Sequence, residues 1–440
     1  MPEILSSARQ MISKYALCDS CFGRQFGGLA RGVTNRERGF ALKLSLALEA
    51  HAAAKEGDPE GEAMLRALAE NGDHASARNA LGESAPPAKA CRICGGVMSR
   101  LGDYARAVAG AVEGYEFSNF LIGVRVAGEV AEREDAIRSE FSAEHGESLR
   151  MEASREIGKA VASLVGKDVE FARPEIVITV EIPGPGLEVK PMPLYVGGRY
   201  RKLERGIPQA KWDCVHCRGK GCSVCDGTGK IYPTSVEEIV AIPIMEAAGG
   251  TDEKFHGAGR EDVDAIMRGN GRPFVIEVKN PKRRALDLAG LERAINAAAG
   301  GRVEVVGLCF SDKKTVRRFK EGAKVAEKVY RALVELECDV DEGRLPALEK
   351  SFNGCIINQY TPNRVLHRRA DKLRVKKVHE LSAKWIDSRH IELVVRCQGG
   401  LYVKELISGD GGRTEPSIAK ALGCGARCVE LDVIAVNEGA

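Results

Sequence analysis

Eight of the fourteen cysteines fall into four Cys-x-x-Cys pairs, and this arrangement limits the possible folds more than any other feature of the chain. Two thiols separated by two residues turn toward the same side of a tight loop, so each pair supplies half of a tetrahedral metal site. Cys214, Cys217, Cys222 and Cys225 lie within twelve residues, and the intervening Gly219 and Gly221 let both turns close on one ion. That set has no vacancy for His216, which is expected at the surface or facing a partner. Cys18/Cys21 and Cys91/Cys94 are far apart in sequence, so a shared site needs tertiary folding to bring them together. In a long chain without a secretion signal, cysteines read as metal ligands or buried thiols, not as disulfides. Cys309, Cys338, Cys355, Cys397, Cys424 and Cys428 are accordingly expected to behave as small hydrophobes.

At 440 residues, 44% hydrophobic and 29% charged, the chain has material for two to four domains with their own cores, which excludes a fibre or a disordered protein. It has no run of 18 apolar residues, and its first residues lack a basic segment followed by an apolar one. A cytoplasmic protein is expected, with neither a membrane nor DNA as partner. The net charge of +3 is too small to imply nucleic acid, but its distribution is informative. Between Thr361 and Glu380 stand Arg364, Arg368, Arg369, Lys372, Arg374, Lys376 and Lys377 against only Asp371 and Glu380. Lys282-Arg283-Arg284 and the basic run from Lys313 to Lys320 lie in the same half, which points to RNA.

Residues 1–50 and 90–116 read as a cysteine-bearing N-terminal region, interrupted at 51–89 by an Ala/Glu/Gly-rich helical insertion expected to be variable or loosely packed. Residues 117–190 read as a small α/β module with a strand at 120–126, a helix at 148–164 and a strand at 176–182. Residues 191–232 read as a linker carrying the four-cysteine knuckles. The rest, 233–440, mixes strands (274–278, 303–310, 391–397, 429–436) with helices (286–299, 323–336, 418–422). Without regular βαβ alternation, this favours an α+β domain with a mixed or antiparallel sheet.

The candidate chemistry begins at Gly257-Ala258-Gly259-Arg260-Glu261-Asp262-Val263-Asp264, where a Gly-rich turn can aim a carboxylate into a cleft. Downstream stand Gly271-Arg272-Pro273-Phe274, Glu327-Lys328-Val329-Tyr330, Thr361-Pro362-Asn363-Arg364 with His367-Arg368-Arg369, and Gly400-Leu401-Tyr402-Val403-Lys404-Glu405. In this order the segments resemble the pseudouridine synthases, most closely the tRNA pseudouridine(54/55) synthase family of archaea and eukaryotes. The resemblance covers the C-terminal half and the cysteine framework, leaving residues 50–89 unaccounted for.

The resemblance implies an isomerase that converts uridine to pseudouridine in the TΨC loop of tRNA without an organic cofactor, and a monomer is expected. It also implies a pseudouridine-synthase-type sheet domain, a THUMP-type RNA-binding region at 117–190, and one or two structural zinc ions, including one at Cys18, Cys21, Cys91 and Cys94. Asp262 takes the position of the catalytic carboxylate. Tyr330 takes that of the aromatic residue that stacks on the base, and Lys404 that of the cation paired with the carboxylate. Leu422 is expected under the base, with Ala421 as the alternative register. Arg260, Arg272, Arg364, His367, Arg368 and Arg369 are expected to contact RNA. Asp264 is expected to point away, in a capping or structural role. The motif departs from the family at Ile266-Met267-Arg268, where Arg-Met-Leu is common. The competing reading is a zinc-containing RNA-binding protein without chemistry. A methyltransferase or thiolase would need a GxGxxG or GxxxxGK[ST] loop, which is absent.

Overall fold

The computed structural model describes residues 4–322 and 326–437, which form two compact units meeting in sequence between Met192 and Pro193. The first unit opens with helices Ile4–Lys14, Asp19–Arg24, Asn35–Lys55, Pro59–Glu70 and Ala75–Leu81. Thr34 and Glu37 form a reciprocal capping box at the start of Asn35–Lys55, and Asp58 caps Pro59–Glu70 with Pro59 in the first turn. Segment 51–89 is packed, which corrects the expectation of a loose insertion. Met64, Leu65 and Leu68 share one helical face and are buried in the core of this unit with Ala77. Gly61 allows the close approach, since a Cβ there would stand 2.5 Å from the backbone N of Ala54.

The α/β module takes the expected form. Strands β1 (Asn119–Val126), β2 (Asp168–Val169), β3 (Ile176–Ile182) and β4 (Leu187–Pro191) form a sheet of order β2-β1-β3-β4, parallel except for the β3–β4 pair. Alternate residues Phe120, Ile122 and Val124 of β1 are buried, as are Ala153, Ile157 and Val161 of the helix Leu149–Val165 that contacts it.

The second unit is built on one ten-stranded sheet. Its strands are β5 (Leu194–Lys202), β6 (Asp252–Gly257), β7 (Ile266–Lys279), β8 (Val303–Phe310), β9 (Glu327–Leu336), β10 (Ile356–Gln359), β11 (Arg374–Asp387), β12 (His390–Gln398), β13 (Thr414–Glu415) and β14 (Ala426–Asn437). The order is β13-β10-β11-β12-β9-β14-β7-β5-β8, with β6 paired to β7; all pairs are antiparallel except β14–β7.

Three expectations are corrected here. Residues 191–232 are not simply a linker, because β5 lies between β7 and β8, burying Leu194, Val196, Tyr200 and Lys202 on alternate positions. Residues 327–336 of the expected helix 323–336 form β9, and 323–325 lie outside the described residues. Burial along β9 does alternate, but Val329 and Leu333 on its partly exposed face and Lys328 on its buried one blur the period-two signal in the sequence. Cys338 and Cys424 form a disulfide, with Cα atoms 5.9 Å apart, between the end of β9 and the turn after helix Ile418–Leu422. Their 86-residue separation hides that pairing from any local spacing argument. Two apolar clusters fill this unit, and Tyr330 packs against both. Among the described residues no helix is long and apolar enough to cross a membrane.

Candidate active site

Asp262 sits in the irregular connection between β6 and β7, a segment with no ladder to satisfy its backbone. Side chains do that work, the buried Lys202 and Arg272 among them. Arg272 donates to the carbonyl of Ala258 (2.8 Å) and Gln209 to that of Gly259 (2.9 Å). Lys202 donates to the carbonyls of Asp262 (3.1 Å) and Val263 (3.0 Å), and Arg205 to that of Asp264 (2.7 Å). A register shift in β5 between Tyr200 and Lys202 helps to aim the lysine at the loop. Burial pushes the Lys202 amine below the usual lysine range, against the pull of Glu261 and Asp264.

Glu261, next to Asp262, anchors the same loop from inside. Its carboxylate accepts hydrogen bonds from the Tyr200 hydroxyl at 2.9 Å and from Arg272 Nε at 2.8 Å, and the Arg272 and Glu261 side chains are both fully buried. Removing one partner of such a pair leaves an uncompensated charge, at a cost of about 3–5 kcal/mol. Gly259 has φ +84°, and a Cβ there would stand 2.9 Å from Lys328 Nζ and 3.0 Å from Arg272 Nη1, so the turn needs glycine for both conformation and space.

The loop opens on a cleft of about 600 Å³, a size suited to a nucleotide. Asp262, Tyr330 and Lys404 all line it, and so do Arg260, Arg364 and Arg369. Lys328, Arg374 and Lys376 bring its cations to seven, against the carboxylates of Glu261 and Asp262, which suits a polyanion. The period of β9 puts Lys328 and Tyr330 on one face, and Val433, the β14 partner of Tyr330, lies at a bulge that bends the strand beside the cleft. Burial drives the Tyr330 phenol well above its ordinary pKa.

The ion pairs differ from the expected ones. Arg364 Nη2 is 3.1 Å from Asp262 Oδ2, while Arg364 Nε binds Glu405 at 2.6 Å. Lys404 Nζ binds Asp264 at 2.6 Å and lies 4.0 Å from Asp262. The primary partner of Lys404 is therefore Asp264, and Asp264 does not point away. Burial acts to raise the Asp264 pKa, but the hydrogen bond and charge of Lys404, with the charge of Arg364, together outweigh it and hold the carboxyl below its usual range. The reason is local: Lys404 lies in the first turn of helix Val403–Ser408, not on a strand, and the loop bends both carboxylates toward it.

Other candidates fall elsewhere. Leu422 is buried in the apolar core and does not line the cleft, where Leu401, Leu431 and Val433 supply apolar surface. Arg272 is enclosed with Glu261, away from solvent. His367 is exposed on the short helix Asn363–Arg368 and does not line the cleft, and the Arg368 side chain lies outside the described residues. Arg260 stands over the Trp212 ring at 5.9 Å, and Arg369 donates to the Tyr402 hydroxyl at 2.9 Å.

Both four-cysteine sets assemble. In each, the four sulfurs lie within 4.8 Å of one another. The Cys18–Cys94, Cys214–Cys222 and Cys217–Cys225 sulfurs are 3.7, 3.9 and 3.8 Å apart. A tetrahedral ion with bonds of ~2.3 Å to sulfur requires edges of roughly 3.8 Å, so both donor sets fit a metal such as zinc. Backbone N–H groups of Gly221 and Gly229 point at Cys217 and Cys225 sulfurs, each at 3.2 Å. In the first unit, buried Arg24 donates to Cys21 Sγ at 3.3 Å and pairs with Glu134 and Glu152, a cation placed to offset thiolate charge. His216 is exposed, as expected.

Comparison with known proteins accounts for both units. Residues 195–437 match the family model described as Pus10, C-terminal, and residues 104–181 match the archaeal Pus10 THUMP domain. The tRNA pseudouridine synthase Pus10 of Methanothrix thermoacetophila is 43% identical over 437 residues, covering 99% of this chain and 95% of the relative. Those of Thermofilum pendens and Methanopyrus kandleri are 42% and 41% identical, each over 98% of this chain and over 95% and 98% of their own lengths. This chain belongs to the Pus10 family of tRNA pseudouridine synthases.

Proposed function

We propose that this protein isomerises uridine to pseudouridine in the TΨC loop of tRNA, at one or both of the adjacent positions for which the family is named, with Asp262 as the catalytic carboxylate. The observation that carries the reading is one cleft bringing Asp262, Tyr330, Arg364 and Lys404 together on a loop held from beneath by buried side chains. The reaction breaks the bond between N1 of the base and C1′ of the ribose, turns the base and rejoins it through C5. It involves no net oxidation, so no redox cofactor is required. Tyr330 offers a face on which a detached uracil can turn while remaining bound. Arg364, shared between Glu405 and Asp262, orients the carboxylate, and Lys404 bridges it to Asp264. The exposed Arg260 and Arg369 hold phosphates of an RNA whose target nucleotide has left the stack, a step that costs a few kcal/mol. Zinc in both cysteine sets is structural, since neither set leaves an open coordination position.

The direct test is an unmodified tRNA transcript incubated with metal-replete protein and mapped for pseudouridine. Asp262→Asn is expected to abolish product while keeping tRNA affinity within about threefold, because the carboxylate acts on the transition state far more than on binding. Asp264→Asn, which loses one partner of Lys404, is expected to slow the reaction by only about tenfold. Continued turnover in Asp262→Asn would overturn the assignment and leave RNA binding without this chemistry as the better reading.

Metal analysis is expected to find two equivalents of zinc in the wild-type protein. Changing Cys214 and Cys217 to Ser should release one of them and lower the thermal midpoint, because the energy of binding to a structural site is part of the folding energy. A variant that stays folded, loses zinc and loses all chemistry would show that the ion acts in the reaction instead.

Replacing Arg260 and Arg369 together by Ala is expected to weaken tRNA binding and to reduce the slope of log K against log salt by about one unit per lost phosphate contact. The single-turnover rate at saturating enzyme should be unchanged. An unaltered slope would remove both arginines from the RNA interface.

A further inference from the structure

Lys328 is a cleft residue whose surroundings do not explain its charge. It is only 6% exposed, yet it lines the cleft. Among the described residues its ammonium has no hydrogen-bond or ion-pair partner. Its titratable neighbours are Arg272 and Lys376, which repel it, the Cys397 thiol opposite it on β12, which burial keeps protonated, and Glu261, whose oxygens are already engaged by Tyr200 and Arg272. An enclosed ammonium without an acceptor is costly to maintain, and nothing in the fold requires a cation here. The missing side chain at Gly259 leaves space beside it, since a Cβ there would come within 2.9 Å of Nζ.

Lysine carries three N–H donors and no acceptor, so whatever meets Lys328 must present an acceptor oxygen. A tRNA substrate offers phosphate oxygens and base carbonyls. A phosphate belongs to a chain that continues on both sides, so it stays near the rim, where Arg260 and Arg369 are exposed. The base is a side branch, and it is what enters the pocket when a nucleotide turns out of the stack. Lys328 also lies two residues from Tyr330 on the same face of β9, one step along the strand from the ring proposed to hold that base.

We propose that Lys328 is a catalytic residue of this cleft, its ammonium donating a hydrogen bond to a carbonyl oxygen of the target uracil and stabilising the negative charge the base acquires as its glycosidic bond breaks. The proposal rests on the isomerase reading above. When the bond between C1′ and N1 breaks, its electron pair stays with the base and spreads from N1 onto O2 and O4. Lys328 keeps its proton and holds the charged oxygen. When C5 then bonds to C1′, the C5 proton leaves and N1 ends protonated, so atoms and electrons balance without a co-reactant. A fixed cation facing a developing charge in an enclosed site is the arrangement that lowers such a barrier most. Burial, then the Arg272 charge, pushes the Lys328 amine down to about 8. The ammonium is therefore present at neutral pH and is lost as pH rises through its pKa.

The test is single-turnover pseudouridine formation on an unmodified tRNA transcript, followed across pH for wild type, Lys328→Met and Lys328→Arg, with tRNA affinity measured alongside. Lys328→Met is expected to react roughly 100-fold more slowly while binding tRNA with unchanged affinity and salt slope. Lys328→Arg should regain at least about tenfold of that loss and should lack the alkaline fall in rate that the wild type shows above about pH 8. Wild-type rate in Lys328→Met overturns the proposal, and so does a weaker affinity with a flatter salt slope at unchanged rate, which would mark a phosphate contact. Should Lys328→Met fail to melt cooperatively, the wild-type profile decides, and a rate that stays level into the ordinary lysine range overturns the assignment. If the wild type itself forms no pseudouridine, it is the isomerase reading that fails.

Discussion

Everything proposed for Asp262 depends on how its loop is held. Five carbonyls between Ala258 and Asp264 are taken up by Arg272, Gln209, Lys202 and Arg205, and the loop's own Glu261 is fixed by Tyr200 and Arg272. A connection of this kind would otherwise carry unpaired backbone groups and sample many conformations. Buried cations such as Lys202 and Arg272 are an expensive way to prevent that, since each must be stripped of water. The cost is offset because each cation makes several charge-assisted hydrogen bonds, as Lys202 does to Ile207, Asp262 and Val263.

The same device separates two kinds of charge in one small volume. Glu261 and Arg272 are closed off as a structural pair, while Asp262 is half-exposed and reaches Arg364. Adjacent carboxylates thus serve opposite ends, one holding the turn and the other facing the cleft. The β9 strand adds to this from the other side, presenting on one face an aromatic ring and an ammonium with no partner among the described residues. Loop and strand come from distant parts of the sequence, and the sheet order brings them together through β14, which pairs with both β7 and β9.

Much of this was legible in the sequence, for identifiable reasons. Cysteine spacing is a local signal, and Cys214 to Cys225 assemble as spacing requires, while Cys18, Cys21, Cys91 and Cys94 needed a fold to meet. Strands with a clean apolar face, such as Ile176–Ile182, showed their alternation, whereas β9 read as a helix because Lys328 on its buried face and Val329 and Leu333 on the other blur the pattern. Motif order placed Asp262, Tyr330 and Lys404 in one cleft. It did not resolve which carboxylate Lys404 meets more closely, because a bend of two residues decides that. Glu261 and Lys202 went unassigned, although Lys202 shares the buried parity of Leu194, Val196 and Tyr200, a signal the alternation of β5 offered. Gln209 carried none, since its role follows from tertiary approach alone.

The catalytic role proposed for Asp262 requires its loop to be fastened from within, and Lys202→Met removes that fastening. Methionine retains much of the lysine's length and apolar stem but cannot donate to the three carbonyls. Single-turnover pseudouridine formation on bound tRNA should fall by about 100-fold, the loss expected when a reacting group is displaced by about an ångström, with tRNA affinity maintained. A folded Lys202→Met protein that forms pseudouridine at the wild-type rate would show that Asp262 needs no such fastening.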